Sequence, residues 1–436
     1  MKINVKDFFE TQYKTYATYD SERSIANVID GQKITARKVL FTSAKRSNTE
    51  IKVAQLCSQV AYETAFHHGE VGIAGVICNL AQSFAGSNNV NLLEPIGQFG
   101  SRLSSIPAAA RYIFTKLTPE FRLLFKKEDD LIIDYNYDDE QQIEPKFYVP
   151  ILPVVLLNGT QGIGTGFASK VLSYNPTDIK NDIISILKNE PRKKLIPWYK
   201  GFNGTITPGE NDNQWIITGK LEITNTTTIK ITEIPVGTYL DDIKSTLSKL
   251  KEKGIIKDYD DDSTVDGFDI EVTVPRTTTS LPIDKLYELF KLVSKDTENL
   301  TLWNTNHKLQ VYDSVSEIVR YFVDYRLLKY EERRLKQIEL LNEDLIWSLE
   351  KQRFIQFYIE NSKLFASKSK KELEQLLVDN SFIQIDNLLQ IRIYNLTKDD
   401  IDKLDSYINK LNKDISTLSK TTPQKMYLKE LEDLKF

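Results

Sequence analysis

EIKVAQLCSQVAYETAFHHGEVGIAGVICNLAQSFA, residues 50–85, sets the first part of the fold. Ile51, Ala54, Cys57 with Ser58, and Ala61 recur at helical spacing, and 71–85 repeat that character after the break His67-His68-Gly69-Glu70. Two short helices joined by a tight turn are the ingredients of a helix-turn-helix, a pattern shared by many all-helical domains. Gly72, Ala74 and Gly75 would let the second helix approach a partner surface closely.

Outward from this stretch the character changes twice. From 145 to 305, KFYVPILPVVLLNG carries β-branched runs broken by prolines, and WIITGKLEITNTTTIKITEIP alternates as exposed strands do. YDDDSTVDGFDIEVTVP reads as a loop entering a further strand, so a mixed α/β domain is the economical assignment. Beyond about 312 long helices take over. The stretch from 315 to about 361 lacks Pro and Gly, and Ile338, Leu341, Leu345 and Leu349 form a stripe along it. A helix of about 45 residues would run about 70 Å. Ile401, Leu404, Ile408, Leu411, Ile415 and Leu418 keep a second apolar rhythm, introduced by Thr397 to Asp400 as a capping box. Two such stripes around a helical knot at 368–396 predict an antiparallel coiled-coil arm with a small globular tip.

Bulk properties limit the function. The 436 residues allow two or three domains, and 41% hydrophobic residues exclude a disordered chain. Two cysteines give no disulfide framework, MKINVKDFFE is no signal peptide, and no run of about 18 apolar residues offers a membrane span. A reducing cytoplasm fits. The net charge of -4 conceals an asymmetry, because residues 1–125 carry 14 Lys and Arg against 10 Asp and Glu, and residues 126–436 carry 43 against 51. Eight of the acids lie in 128–144. If the chain holds DNA, its N-terminal part does most of the holding, and composition alone leaves an ordinary acidic enzyme equally open.

Several motifs invite chemistry. Cys57, His67, His68 and Cys78 could be drawn as a zinc site, but C-x9-H-H-x9-C is not a finger or ribbon spacing. Histidines just before a helix N-terminus read better as phosphate contacts. GTQGIGTGF, 159–167, lacks the lysine of a phosphate-binding loop and the spacing of a dinucleotide fingerprint, so its glycines signal close backbone approach to another group, nucleic acid among the candidates. PAAARYIF, 107–114, sets Arg111 before Tyr112. A phenol that titrates near pH ~10 needs a neighbouring cation or base to act as a nucleophile, and Arg111 could supply part of that. With 21 tyrosines in the chain, this pair alone does not single out a site.

RSIANVIDGQKITARKVL at 23–40, AFHHGE at 65–70, IGQFGS at 96–101, AAARY at 108–112 and IIDYNYDDEQQIEPKFYVPILPVVLLNGTQGIGTGFAS at 132–169 share one order and spacing. Together they resemble the breakage-reunion subunit of type IIA DNA topoisomerases, the gyrase A, ParC and eukaryotic topoisomerase II group. The resemblance runs over about 16–430 and is greatest to the medium subunit of a tailed-bacteriophage enzyme. It implies a multidomain α+β fold, with an N-terminal extension (1–15), a winged-helix DNA gate carrying the catalytic tyrosine and an acidic link (16–144), an α/β tower (145–311), and a long coiled-coil arm ending in the globular dimerisation tip, or C-gate (312–436).

For function the resemblance implies ATP-dependent relaxation or unlinking of duplex DNA by tyrosine transesterification. Tyr112 would be the nucleophile, assisted by Arg111 and His68. Arg23, Lys33, Arg37, Lys38 and His67 would contact DNA, and Ile163 would wedge between base pairs, with an inward-facing loop anchor as its plain alternative. One tyrosine per chain implies a homodimer. Neither acidic run, 128–144 or 258–262, resembles the family's metal-binding acids, and no ATP loop is present, so Mg2+ and ATP are expected in a separate partner subunit. Ala36, Phe66, Val71 and Gly75 depart from the family pattern, the last two at positions where bacterial relatives hold quinolones. The chain stops directly after the arm without a DNA-wrapping tail, which favours relaxation or decatenation over negative supercoiling. A bacterial-host cytoplasm is the expected location. The rival classes are a catalytically dead architectural DNA binder and a hydrolytic nuclease with its own metal cluster.

Overall fold

The computed structural model describes residues 4–46, 48–67, 69–392, 394 and 396–435. It divides into two compact units, Met1–Arg326 with Glu430–Phe436, and Leu327–Lys429.

The first unit begins with a helical run whose last segment is Lys14–Ser24, followed by three packed helices, Ile34–Lys45, Val53–Glu63 and Glu70–Ala81. Val53, Leu56, Cys57 and Val60 give the middle helix one buried face, and Ile73, Ile77, Cys78 and Ala81 do the same for the third. Residues 36–43 of the first are all buried, which makes that helix the centre of the trio. A two-stranded pair, Ile51–Lys52 with Phe114–Thr115, closes the group, and a hairpin, Tyr135–Asp138 with Gln141–Pro145, follows it.

The middle of the chain contains a four-stranded antiparallel sheet in the order Asp258–Asp261, Ile270–Thr273, Thr228–Glu233, Lys220–Asn225. Helix Leu240–Glu252 packs on it through Ile243, Leu247 and Leu250, against Ile229, Ile231, Ile270 and Val272. A three-stranded antiparallel sheet lies in the order Val293–Thr297, Gln214–Thr218, Thr205–Pro208. Every pairing between the named strands is antiparallel, so this segment is α+β and not an α/β domain with a parallel sheet.

Two local expectations are corrected. Val154–Asn158 is a short helix despite its β-branched start, because Val154 to Leu157 are all buried and Gly159, at φ +68°, ends the turn. Asp258–Asp261 is a strand and not a loop. Its acids tolerate the ladder because Lys251 and Lys244 neutralise Asp258 and Asp261, each at 2.6 Å.

In the second unit, the Pro-free stretch is a single helix, Val315–Glu360, that starts within the first unit, and Thr397 caps Lys398–Lys420 by accepting from the Asp400 amide. These helices run antiparallel, since Arg334 reaches the Leu418 carbonyl, Gln352 reaches Asp405, and Tyr407 donates to Asp344. The predicted stripe 401–418 is the least exposed face of its helix, with Ile408 and Leu411 buried. On the long helix the stripe fails at Leu349, which is exposed, while Ser348 and Glu350 are buried. Glu350 is drawn in as the acceptor for Arg353 and the Ile383 amide, at 3.0 and 2.6 Å. Phe354, Leu377, Phe382 and Leu388 form the core of the small helical region at 362–389. No helix of the described residues is long and apolar enough to cross a membrane.

Candidate functional site

Tyr112 sits on a turn stitched down on both sides. Its amide donates to Ala109 O at 2.9 Å, Ala54 N donates to Ala110 O, and Val53 N donates to Ile113 O. Ile113 is buried, so the chain reversal turns the Tyr112 side chain outward, where it is 66% exposed. The Arg111 guanidinium lies against that phenol, with its carbon 4.9 Å from the ring centroid. A cation therefore stands against the phenol ring on a backbone with little freedom.

The upstream part of this loop is anchored in the four-stranded sheet. Arg102 Nη1 donates to Glu233 Oε1 at 2.6 Å, and Nη2 donates to the carbonyls of Ile234 at 2.6 Å and Pro235 at 3.1 Å. Its guanidinium also faces the Phe268 ring, and Leu103 packs on the sheet core. Burial lowers the Arg102 pKa from its ordinary value, and the Glu233 carboxylate pulls it back upward. Glu233 is itself buried and accepts from Asn203 N and Ile234 N. Sequence reasoning missed this clamp. Its signal was an acid at an inward position of the alternating strand Thr228–Glu233.

Arg23 and Lys33 line a groove of about 300 Å³ together with Asn79, Asn88 and Gln161. Lys33 Nζ donates to Gln161 O at 2.7 Å, and burial lowers its pKa. That bond ties the groove to the hairpin Thr160–Gly164 with Phe167–Val171, on which Ile163 is 78% exposed. The inward-anchor alternative for Ile163 is thus excluded. Gly162 and Gly164 of this hairpin serve close packing within the chain, since a Cβ at Gly162 would lie 1.8 Å from Ser24 O and one at Gly164 3.1 Å from Ser21, whereas nothing lies within 4 Å of a Cβ at Gly166. Asp20 fixes the same hairpin through the Thr165 amide and hydroxyl.

Two expected DNA contacts are elsewhere engaged. Arg37 is buried and paired with Asp30 at 2.7 Å, donating also to Gln32 O, while Asp30 accepts from the amides of Gln32 and Tyr148. Lys38 is buried between Glu144 Oε2 at 2.8 Å and Thr64 O. Both brace the trio of helices and present no charge to a phosphate. His67 is exposed beside the start of helix Glu70–Ala81, whereas His68 lies outside the described residues. On that helix Val71 is 89% exposed, and nothing packs over Gly72 or Gly75. Tyr112 and Arg111 are not among the residues lining the Arg23–Lys33 groove, so one chain holds the phenol and the basic groove as separate features.

Cys57 and Cys78 are free and buried, and burial, then the nearby Glu70 charge, pushes the Cys57 thiol up to about 11. Asp129 is committed to Arg326 and Glu144 to Lys38. Among the described residues no group of three or more His, Cys, Asp or Glu could hold a metal ion.

Comparison with known proteins gives one consistent answer. The family model for the A subunit of DNA gyrase/topoisomerase IV matches residues 23–433. DNA topoisomerase 2 of Arabidopsis thaliana is 34% identical over 489 residues, covering 99% of this chain and 33% of that protein. DNA topoisomerase 2-alpha of Rattus norvegicus is 38% identical over 395 residues, covering 88% and 26%. The crystal structure of the Plasmodium falciparum topoisomerase II DNA-binding, cleavage and re-ligation domain superposes with a TM-score of 0.90 at 34% identity, covering 98% of this chain and 63% of that one. The chain thus spans about a third or less of the length of these curated relatives.

Proposed function

Because this chain belongs to the A-subunit family of DNA gyrase and topoisomerase IV, we propose that it is the DNA-cleaving and rejoining part of an ATP-dependent type II DNA topoisomerase. The observation that carries the reading is the exposed Tyr112 phenol on a loop fixed at both ends, with Arg111 against its ring.

In the proposed step the Tyr112 oxygen attacks a backbone phosphorus in line, the bond from phosphorus to the deoxyribose 3′ oxygen breaks, and that oxygen leaves with a proton as a 3′ hydroxyl. The 5′ phosphate stays on Tyr112. One phosphodiester replaces another, so the reverse attack reseals the strand without an external energy source. Arg111 stabilises charge on the transferring phosphate, because its cation is already in place and needs no reorganisation. His68 would assist in the same site. Arg23, Lys33 and His67 hold the backbone, and the exposed Ile163 enters a base step and bends the duplex.

The three helices with their strand pair and hairpin serve as a winged-helix DNA gate, the antiparallel sheets as the tower beside flanking duplex, and the paired long helices as a coiled-coil arm. Exposed Ile346, Leu349 and Ile383 near its end suit a dimer contact. Two copies supply the two tyrosines that a double-strand break requires. Mg2+, when bound, would supply charge stabilisation at the leaving oxygen. Neither acidic run, 128–144 or 258–262, resembles the family's metal-binding acids, so in this reading a partner subunit would carry the Mg2+ and ATP sites. The phage source and bacterial-host cytoplasm rest on the sequence resemblance, whereas the relatives compared are eukaryotic.

The test is to mix wild type or Tyr112→Phe with the ATPase and metal-binding partner, Mg2+ and supercoiled DNA, and to trap with denaturant. Wild type should give protein linked to 5′ ends, and the variant none. Adduct persisting in Tyr112→Phe, or free ends without adduct, would overturn the assignment.

A further inference from the structure

A cavity of about 590 Å³ lies at the C-terminal end of helix Ile34–Lys45, and none of the residues given above a role with DNA or the nucleophile lines it. Its size falls in the range of about 300–1,000 Å³ usual for small-molecule sites. Four cations line it, Lys45, Arg122, Lys126 and Lys127. Where lysines elsewhere in the chain meet carboxylates at bonding distance, these meet none among the described residues. Lys45 Nζ rests 3.9 Å above the Phe41 ring centroid, and Arg122 lies over Phe121 and donates only to the Ala44 carbonyl. Ring faces and a carbonyl hold these two side chains without neutralising them.

The apolar part of the lining is aromatic. Phe121 and Phe125 have ring centroids 4.8 Å apart, and Phe125 meets Tyr148 edge-on at 5.3 Å. Tyr148 is 7% exposed, and its hydroxyl is buried without a hydrogen-bond partner among the described residues. Native structures seldom leave such a group unsatisfied unless a water, ion or ligand serves it. Asp130 adds a carboxylate to the lining, and burial pushes its pKa up despite the neighbouring Arg122 and Lys127.

We propose that this cavity binds a nucleoside monophosphate, with its phosphate on the Lys45, Arg122, Lys126 and Lys127 side, its base on the Phe121, Phe125 and Tyr148 side, and a donor edge of the base on Asp130. Four cations against the two carboxylates of the lining, Asp129 and Asp130, of which Asp129 is already paired with Arg326, select an anion; an aromatic wall selects a flat apolar body, and the Asp130 carboxylate beside both selects a ring with N–H donors, which guanine presents. The proposal stands independently of the cleavage reaction, since it uses none of its residues.

Isothermal titration of the full chain with guanosine 5′-monophosphate tests it, alongside guanosine, inorganic phosphate and a short duplex. The expected result is saturable one-site binding of the nucleotide that weakens with salt, with guanosine and phosphate each weaker by about tenfold or more. Lys126→Ala/Lys127→Ala should weaken the nucleotide about tenfold at unchanged far-UV circular dichroism, and Tyr148→Phe, which retains the ring, should weaken it several-fold. The proposal is overturned by the absence of saturable binding, by equal binding to the lysine variant, or by displacement of the nucleotide by duplex DNA in a lysine-dependent way, which would assign these cations to the DNA path.

Discussion

Replacing Arg102 by Met tests whether the sheet sets the position of the nucleophile. The substitution keeps the length and the apolar stem but removes five donors, taking the cation from the buried Glu233 carboxylate and the donors from the carbonyls of Ile234 and Pro235. Breaking a buried pair by deleting one partner costs about 3–5 kcal/mol. The lower end applies here, about 3 kcal/mol, because Glu233 keeps its bonds from Asn203 N and Ile234 N. Global unfolding of a chain with two compact units is not a two-state measurement, so hydrogen exchange of the amides in 97–112 is the better probe. Exchange there should quicken by about a hundredfold, as about 3 kcal/mol of lost local stability implies. In the reconstituted enzyme at saturating DNA, the yield of Tyr112–DNA adduct should fall by about tenfold or more, while DNA affinity changes by less than about threefold. Arg102→Met/Glu233→Met should lose less than the single variant, since removing both charges leaves none buried and unpaired. Unchanged exchange in 97–112, or a double variant that loses as much as Arg102→Met alone, would refute the clamp.

Three further outcomes follow from the same geometry. Lys33→Ala should weaken DNA binding and make the slope of log affinity against log salt shallower by about 0.9, whereas Arg37→Ala should leave the slope unchanged and destabilise the surroundings of Asp30 by about 3–5 kcal/mol, as read by binding titrations and by hydrogen exchange of the helix Ile34–Lys45. Ile163→Ala should leave folding intact, because the side chain is solvent-exposed, and should reduce the bend of an end-labelled duplex measured by energy transfer. Cys57, with its thiol at about 11, should carry roughly one part in a thousand of thiolate at pH 8 and react with a maleimide only after denaturation; between the ordinary 9.0 and about 11 the unfolded thiol ionises while the folded one does not, so stability should fall as pH rises through that window.

What was legible in the sequence divides according to the range of the interaction. The helix Val315–Glu360, the Thr397 cap and the helix pair of 53–81 depend on spacing within a few residues, and local patterns report such spacing. Arg37 and Lys38 were read as phosphate contacts because a basic residue looks the same whether it meets a phosphate or a buried carboxylate. Glu144, the partner of Lys38, lies 106 residues away, in the acidic stretch that the sequence offers only as a charge run. The same limit hid Arg102, whose acceptor is 131 residues downstream. Val154–Asn158 failed for a different reason, since a weak local preference for strand gives way when four consecutive side chains are buried on all sides.

The glycines of 159–167 show how a local inference of close approach leaves its partner open. Their density implies close backbone approach, and for Gly162 and Gly164 the surface met is the helix Lys14–Ser24 at Ser24 and Ser21. This changes the argument for Ile163 without weakening it. A wedge must resist the force needed to unstack a base step, and a hairpin free to recoil would yield before the bases did. Gly162 and Gly164 let the strand seat directly on a helix, Asp20 holds the turn, and Lys33 holds the adjacent carbonyl. Gly162 and Gly164 would therefore be the support of the proposed wedge. A Gly162→Ala substitution, forced against Ser24 O, should blunt duplex bending as much as loss of the Ile163 side chain itself, and a variant that bends DNA normally would separate the wedge from its seat.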